Sequence, residues 1–398
     1  MLMKRALIML PFVVAASIAV AQDNTASPYA KWKNGPSHDP AFFPIAVWLQ
    51  DPSNAERYKA AGFNTYVGLW KGPTEEQLAA LKKAGIRVFC EQNDAALRHL
   101  DDPVIAGWMH GDEPDNAQEL PGKTGYGPPV APEKIVAEYE QMRKADPSRP
   151  VMLNLGQGVA WDGWYGRGAR SHHPEDYPLY MKGSDIVSFD IYPVVHDNTE
   201  VRGHLSYVSD GVDRLVKWSN GQQIVWNCLE CTHIDNPKLK ATPKQVRFEA
   251  WQSIIHGSRG LIYFVHQFKP VFREAALFDD PEMLKAVTAL NQQITSLAAV
   301  VNSHPPRDAA TAIALTPEDG EARVDAMTKT SNGTLYIFAA VNSGVPCTVR
   351  IGMPGLKAGQ TVEVIGENRN LTVGADGSFN DDFAEWDVHI YRILQQRN

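Results

Sequence analysis

The sequence predicts a (β/α)8 barrel followed by a small all-β sandwich. Three observations predict it. Eight short apolar or β-branched runs, each bounded by turn residues, recur up to about residue 266. Amphipathic helix-like stretches separate several of them, the alternation that a parallel sheet wrapped by helices requires. After His304-Pro305-Pro306 the helical pattern stops and only strand-like runs follow. The 398 residues suit a barrel of about 250 residues with a smaller companion.

The first strand is expected over 43–50 (FPIAVWLQ), with a helical stretch over 53–61 behind it. The second covers 63–70 (FNTYVGLW). Residues 74–84 then form an amphipathic helix, with Leu78 and Leu81 on one face, Lys82 and Lys83 beyond them, and Gly85 as its stop. The third strand is 87–91 (RVFCE) and the fourth 104–111 (VIAGWMHG). A helix over 132–145 leads to the fifth at 150–155 (PVMLNL). The sixth is 185–192 (DIVSFDIY), the seventh 223–229 (QIVWNCL). A helix over 243–256 precedes the eighth, 260–266 (GLIYFVH), and a helix over 281–302 closes the barrel. A doubly wound open sheet would want a glycine-rich phosphate turn after its first strand, and "WLQDPSN" has none.

Beyond residue 304 the runs "TAIALT", "EARVDAMTK", "TLYIFAAVN", "CTVRIGM", "QTVEVIG" and "WDVHIYRI" are split by turn signals such as Ser331-Asn332-Gly333 and Ala375-Asp376-Gly377. That is the pattern of a sandwich packed directly on the barrel. The expected domains are a signal peptide at 1–21, a barrel at 22–304 and a sandwich at 305–398. Lys4 and Arg5, the apolar run 6–20 and Ala19-Val20-Ala21 fit a cleavable export signal. The apolar run is shorter than the ~20 residues a membrane span needs. A secreted or periplasmic chain without stable membrane insertion is therefore expected; nothing in the sequence speaks to its oligomeric state.

A net charge of −8 with no basic block excludes a nucleic-acid partner. The four cysteines, Cys90, Cys228, Cys231 and Cys347, lack the two paired sets of a zinc site, so buried thiols or one structural bridge are expected. No cluster with metal-ligand spacing occurs, and neither a metal nor a cofactor is expected.

Barrel strands present their C-terminal ends to the active-site mouth. Those ends carry Trp48, Trp70, Glu91, Asp112, Glu113, Asn154, Asp190, Tyr192, Glu230 and His266. Carboxylates and amides accept from and donate to hydroxyls, and indole faces stack on sugar rings, so the mouth suits a carbohydrate. Glu113 in "GWMHGDEPDN" ends the fourth strand and Glu230 the seventh. Glycoside hydrolysis needs two carboxyl groups flanking the bond, one protonated and one ionised. The stretch Asp112-Glu113-Pro114 could also be a charged helix start with no chemistry.

The pairing resembles the retaining glycosidases built on (β/α)8 barrels known as clan A. "DEPDN" is similar to their Asn-Glu-Pro acid/base stretch, "IVWNCLECTH" to their nucleophile strand, and "SFDIYP" to the strand whose Tyr, here Tyr192, bonds the nucleophile. "WQSIIHGSRGLIYFVH" is similar to their entry to strand eight. The likeness spans residues 43 to about 302. It implies Glu113 as acid/base and Glu230 as nucleophile, with Asp112, Asn154, Asp190 and Glu91 on hydroxyls and Trp48 and Trp70 as ring platforms. His266, at the end of the eighth strand, is the remaining substrate-binding candidate. One departure stands out: Asp112 replaces the usual Asn. An ionised Asp accepts from a hydroxyl without donating, and its charge raises the pKa of Glu113. Two other readings are a carbohydrate-binding barrel without catalysis and a thiol amidase using Cys231 and His233. Trp161, Trp164 and Tyr165, in the glycine-rich loop after strand five, fit either sugar stacking or loop anchoring.

Overall fold

The computed structural model describes residues 27–315 and 322–394. The expected signal segment lies outside the described residues. Eight barrel positions are filled in chain order by β1 (Ile45–Trp48), β2 (Thr65–Val67), β3 (Arg87–Cys90), β4 (Ile105–Met109), β5 (Val151–Leu155), β6 (Ile186–Phe189), the pair β7 (Ile224–Val225) and β8 (Asn227–Glu230), and β9 (Leu261–Phe264). Every pairing is parallel, from β7 through β6, β5, β4, β3, β2 and β1 to β9 and β8. β7 pairs with β6 while β8 pairs with β9, so the seventh strand changes partner at Trp226 and closes the barrel.

The helices are α1 (Ala55–Ala60), α2 (Glu75–Ala84), α3 (Asp94–Leu97), α4 (Pro132–Ala145), α5 (Tyr177–Tyr180), α6 (Ser206–Ser219), α7 (Pro243–Ile255) and α8 (Pro281–Val301). Local chemistry sets their ends. Thr74 and Gln77 form a capping box at the start of α2, and Gly85 ends it at φ 67°. Thr242 and Gln245 repeat the device at α7, with Pro243 in the first turn. α6 had no counterpart among the expected elements, and the segment between β3 and β4 holds only the short α3.

Strand alternation divides the core. Ala46, Val67, Phe89, Ala106, Met152, Ile186, Trp226, Cys228 and Ile262 fill the barrel interior. Ile45, Val47, Tyr66, Val88, Trp108, Leu229 and Tyr263 face the helices. The bottom is plugged by residues that precede the first strand. Tyr29 and Trp32 join the interior cluster, and Tyr29 Oη accepts from Trp226 Nε1 (2.9 Å) and donates to the Arg259 carbonyl (2.7 Å). Side chains thus close one end of the barrel and leave the end where the strands finish to a ligand.

The C-terminal unit is antiparallel. β10 (Thr311–Ala314), β13 (Cys347–Gly352) and β16 (Ser378–Phe383) form one sheet. β11 (Arg323–Ser331), β12 (Thr334–Asn342), β17 (Val388–Leu394), β14 (Thr361–Val364) and β15 (Arg369–Thr372) form the other. Alternating side chains such as Leu335, Ile337, Val349, Ile351 and Ile393 fill the space between them. The opposite face of the larger sheet belongs to the barrel's own apolar cluster through Phe338, Ala340, Val388 and Ile390. Trp251 of α7 meets Phe338 at 5.4 Å between ring centroids, and Phe248 meets Trp386 at 5.4 Å. Arg247 also donates to the Val388 carbonyl (2.8 Å).

Candidate active site

The loop that follows β4 is held by a buried ionic network. Asp115 has no exposed surface; its carboxylate accepts from the Gly156 amide (2.9 Å) and the Tyr177 hydroxyl (3.1 Å). Arg167, 2% exposed, lies 3.9 Å from that carboxylate and donates to the Asp115 carbonyl and to Asp176 (2.8 Å). Asn116 is fixed by Trp164, whose indole N–H donates to its Oδ1 (2.8 Å). The Asn116 amide then donates to Glu113 Oε2 (2.7 Å). A Cβ on Gly156 would stand 2.8 Å from the Asn116 side chain, so only glycine leaves that amide in place. Glu113 itself has φ 41°, a conformation that costs a residue with a side chain about 1–3 kcal/mol and concentrates at functional sites.

β5 and β6 bring the second half. Alternation turns Asn154 and Ser188 inward. Ser188 donates to Asn154 Oδ1 (2.6 Å), which aims the amide nitrogen at two carboxylates: Asp112 Oδ1 (2.9 Å) and Asp190 Oδ1 (2.8 Å). Tyr192 donates to the other oxygen of Asp190 (2.7 Å). Asp112, Glu113 and Asp190 therefore converge at the ends of β4 and β6, with Asp112 opening onto the cavity.

Three acids this close cannot all ionise. Burial is the larger cause that raises Glu113 well above the usual carboxylate range, and the charges of Asp190, Asp112 and Asp115 add to it. Asp112 is pushed up to about 7 by desolvation and Asp190. Desolvation also raises Asp190, but donation from Asn154, Tyr192 and the Cys228 thiol opposes it. Three donors thus favour the charged form of Asp190, whereas the Glu113 carboxyl has the Asn116 amide alone.

Glu230 corrects an expectation. It does not face Glu113 across the mouth. Its side chain has no exposed surface; Oε1 accepts from the Val194 amide (2.6 Å) and Oε2 from the Val195 amide (3.1 Å). Beside it lies Glu249 of α7, also fully buried, whose carboxyl when protonated donates to Glu230 and has no further partner among the described residues. A nucleophile must touch the anomeric carbon, and a carboxyl closed off in this way cannot. Glu230 instead ties the loop after β6 to the seventh strand. The physical reason is the strand's end: Glu230 is the last residue of β8, paired with Phe264, and its carboxyl takes the free amides of the loop after β6.

This carboxyl pair carries a pH prediction. Burial raises Glu230 to about 7 and, with the charge of Glu230, raises Glu249 further. Unfolded, both would titrate near 4.5. The folded state binds more protons in between, so stability falls as pH rises through that interval and beyond it. A thermal-melting series should show its steepest loss between about pH 5 and 8. Glu249→Gln, which keeps the packing and removes one ionisation, should flatten that loss.

The other candidates divide. Trp48 and His266 are 5% exposed and Trp70 is 66% exposed, and all three line one cavity of about 610 Å³ with Asp112 at its inner edge. Glu91 does not join them. It lines a separate polar recess with Gln92, His110 and Glu138 on the flank next to α4. Trp161 is 7% exposed and packs in the core, an anchor; Trp164 bonds Asn116, and Tyr165 stands exposed beside a smaller recess shared with Tyr192 and His196. All four cysteines are free and buried. The Cys231 thiol is driven up by desolvation and bonds the Phe264 carbonyl, while His233 bonds the Asn236 and Leu239 carbonyls. No thiol–imidazole pair forms, which removes the amidase reading.

Asp115, Asn116, Arg167 and Ser188 act in the site without having been singled out as candidates. Two of them sit inside "GWMHGDEPDN", where three acids and an amide around proline were the available signal.

No family model matches the chain, and no curated protein matches it in sequence. Solved structures do. An alpha-amylase from Geobacillus thermoleovorans complexed with acarbose aligns at TM-score 0.55 and 10% identity over 92% of this chain and 100% of that one. A GH42 beta-galactosidase from G. stearothermophilus, in a catalytic-mutant form, gives 0.55 and 9% over 92% and 100%. AmyP in complex with maltotriose gives 0.53 and 9% over 90% and 98%. The likeness is one of fold. It covers barrel and sandwich together, as a (β/α)8 barrel with a C-terminal β unit requires.

Proposed function

We propose that the chain is an exported glycoside hydrolase that cleaves O-glycosidic bonds of a poly- or oligosaccharide with retention of configuration. One observation carries the reading: Asp112 and Asp190 share the Asn154 amide at the strand ends, Glu113 lies within reach of both charges, and Asp112 lines an aromatic-walled cavity. Among proteins of this fold, the alpha-amylase and AmyP named above are complexed with acarbose and maltotriose.

Glu113, kept protonated by its neighbours, donates to the leaving oxygen. Asp190 attacks the anomeric carbon and forms the glycosyl-enzyme, its approach fixed by Asn154 and Tyr192. Glu113, now ionised, takes a proton from the water that releases the sugar. The two Asn154 bonds limit the Asp112 and Asp190 oxygens to at most about 5.7 Å apart, so Asp112 is placed to accept from a hydroxyl next to the reacting carbon.

Reducing-end release from a broad panel of poly- and oligosaccharides tests the activity, and the anomer formed first, read by NMR, tests retention. Binding of a glycan with no cleavage across the panel would favour the carbohydrate-binding barrel instead. The rate should follow a bell in pH, rising as Asp190 ionises and falling as Glu113 loses its proton. Asp112→Asn removes a negative charge beside Glu113, so the alkaline limb of kcat/KM should move to lower pH.

A further inference from the structure

The mouth is not uniform around its rim. Above β4, β5 and β6 it presents carboxyl groups, an amide and a phenol. Above β9, β1 and β2 it presents six aromatic rings: Trp48, Trp70, Phe264, His266, Phe268 and Phe272. Phe268 and Phe272 are 44% and 56% exposed, and they line the same cavity as the exposed Trp70, so within this chain the three rings leave apolar surface uncovered. His266 lies nearly parallel to Phe268 (10°, centroids 5.9 Å) and is stacked on Phe272 (26°, 6.2 Å). Desolvation lowers His266 to about 4, so at neutral pH the imidazole is an uncharged member of the stack.

The polar groups of this half are largely committed. Gln50 spends its amide nitrogen on His266 and the Glu274 carbonyl and its oxygen on the Tyr58 hydroxyl. Gln77 caps Thr74 and donates to the Trp70 carbonyl. Asp51 and Glu274 each give one carboxylate oxygen to a backbone amide. A sugar ring laid against this wall would lose hydration at several hydroxyls and find few donors to replace it, and each group left unpaired weakens binding. A flat apolar group would lose nothing and cover the exposed rings.

We infer that this half of the mouth binds an aromatic aglycone, making the substrate an aryl glycoside whose sugar lies over β4–β6 and whose ring system lies among Trp70, Phe268 and Phe272. The inference rests on the hydrolase reading for the word aglycone, while the aryl site itself can be tested without turnover. The cavity of about 610 Å³ exceeds the need of a single benzene ring and admits a fused or substituted one.

The test is calorimetric titration of 2-naphthol into the full chain and into Phe268→Ala/Phe272→Ala. Both side chains are exposed, so the variant should fold, and circular dichroism verifies it. Saturable binding that weakens at least tenfold in the double variant is the expected result. No binding to the parent chain, or equal binding to both, overturns the aryl site. Reducing-end release measured on the same preparation decides the hydrolase reading separately. If the double substitution instead raises KM for a plain oligosaccharide tenfold while naphthol fails to compete, the cleft holds a second sugar and the inference falls.

Discussion

Glu113→Gln and Asp190→Asn are each expected to lower kcat by about a thousandfold, with melting temperature nearly unchanged. Loss of a positioned general acid removes roughly 10²–10⁴ in rate. Glutamine keeps the shape of Glu113 and can still accept from Asn116, but it has no proton to give the leaving oxygen. Substrates with good leaving groups should therefore suffer less in Glu113→Gln than in Asp190→Asn, because they need no protonation. The comparison that decides the site is Glu230→Gln. It keeps an oxygen for one of the Val194 and Val195 amides and leaves the mouth chemistry intact, so stability should drop while kcat falls far less. A thousandfold loss in Glu230→Gln with an unchanged fold, and none in Asp190→Asn, would return the nucleophile to the seventh strand.

Arg149→Met should produce the largest loss of stability. The guanidinium, 1% exposed, donates to the Ile105, Leu100 and Asp102 carbonyls and to Asp146 Oδ2 at 2.7–3.0 Å. It ties the loop before β4 to the entry of β5. Methionine fills part of the volume and satisfies none of the four acceptors. Breaking a buried pair by removing one partner costs about 3–5 kcal/mol. Denaturant titration should show that loss, and Asp146 still receives Ser148 and Trp108, which keeps the variant from falling further.

The fold was legible because buried parallel strands are written as uninterrupted apolar runs. "RVFC", "VMLNL" and "LIYF" allow little else, and each strand appears within a few residues of its expected place. α6 was harder. "SYVSDGVDRLVKWS" mixes serines, aspartates and a glycine into its apolar stripe. That glycine is a packing requirement, since a Cβ on Gly211 would lie 2.3 Å from the Phe189 ring. The crowding of carboxyls at the end of β4 was readable from "GDEPDN" alone. The strand-seven carboxyl was not, because pattern does not say which way the last residue of a strand turns. A sign was present in Glu249, an acid amid the apolar run of α7 that only another buried group could accommodate. Asp190 was recognised as a mouth residue but given a lesser part than its hydrogen bonds support.

The shared apolar seam between barrel and sandwich has a consequence for the order of synthesis. Val388 and Ile390 lie on β17, the last of the described strands, yet they complete a cluster begun by Ile45 and Val47 on the first. Until that strand arrives, Phe248 and Trp251 present bare rings to the cytosol or to whatever escorts the chain. The nascent barrel is thus unfinished until residue 390 has emerged, and chains cut short before residue 388 should be recovered in aggregates.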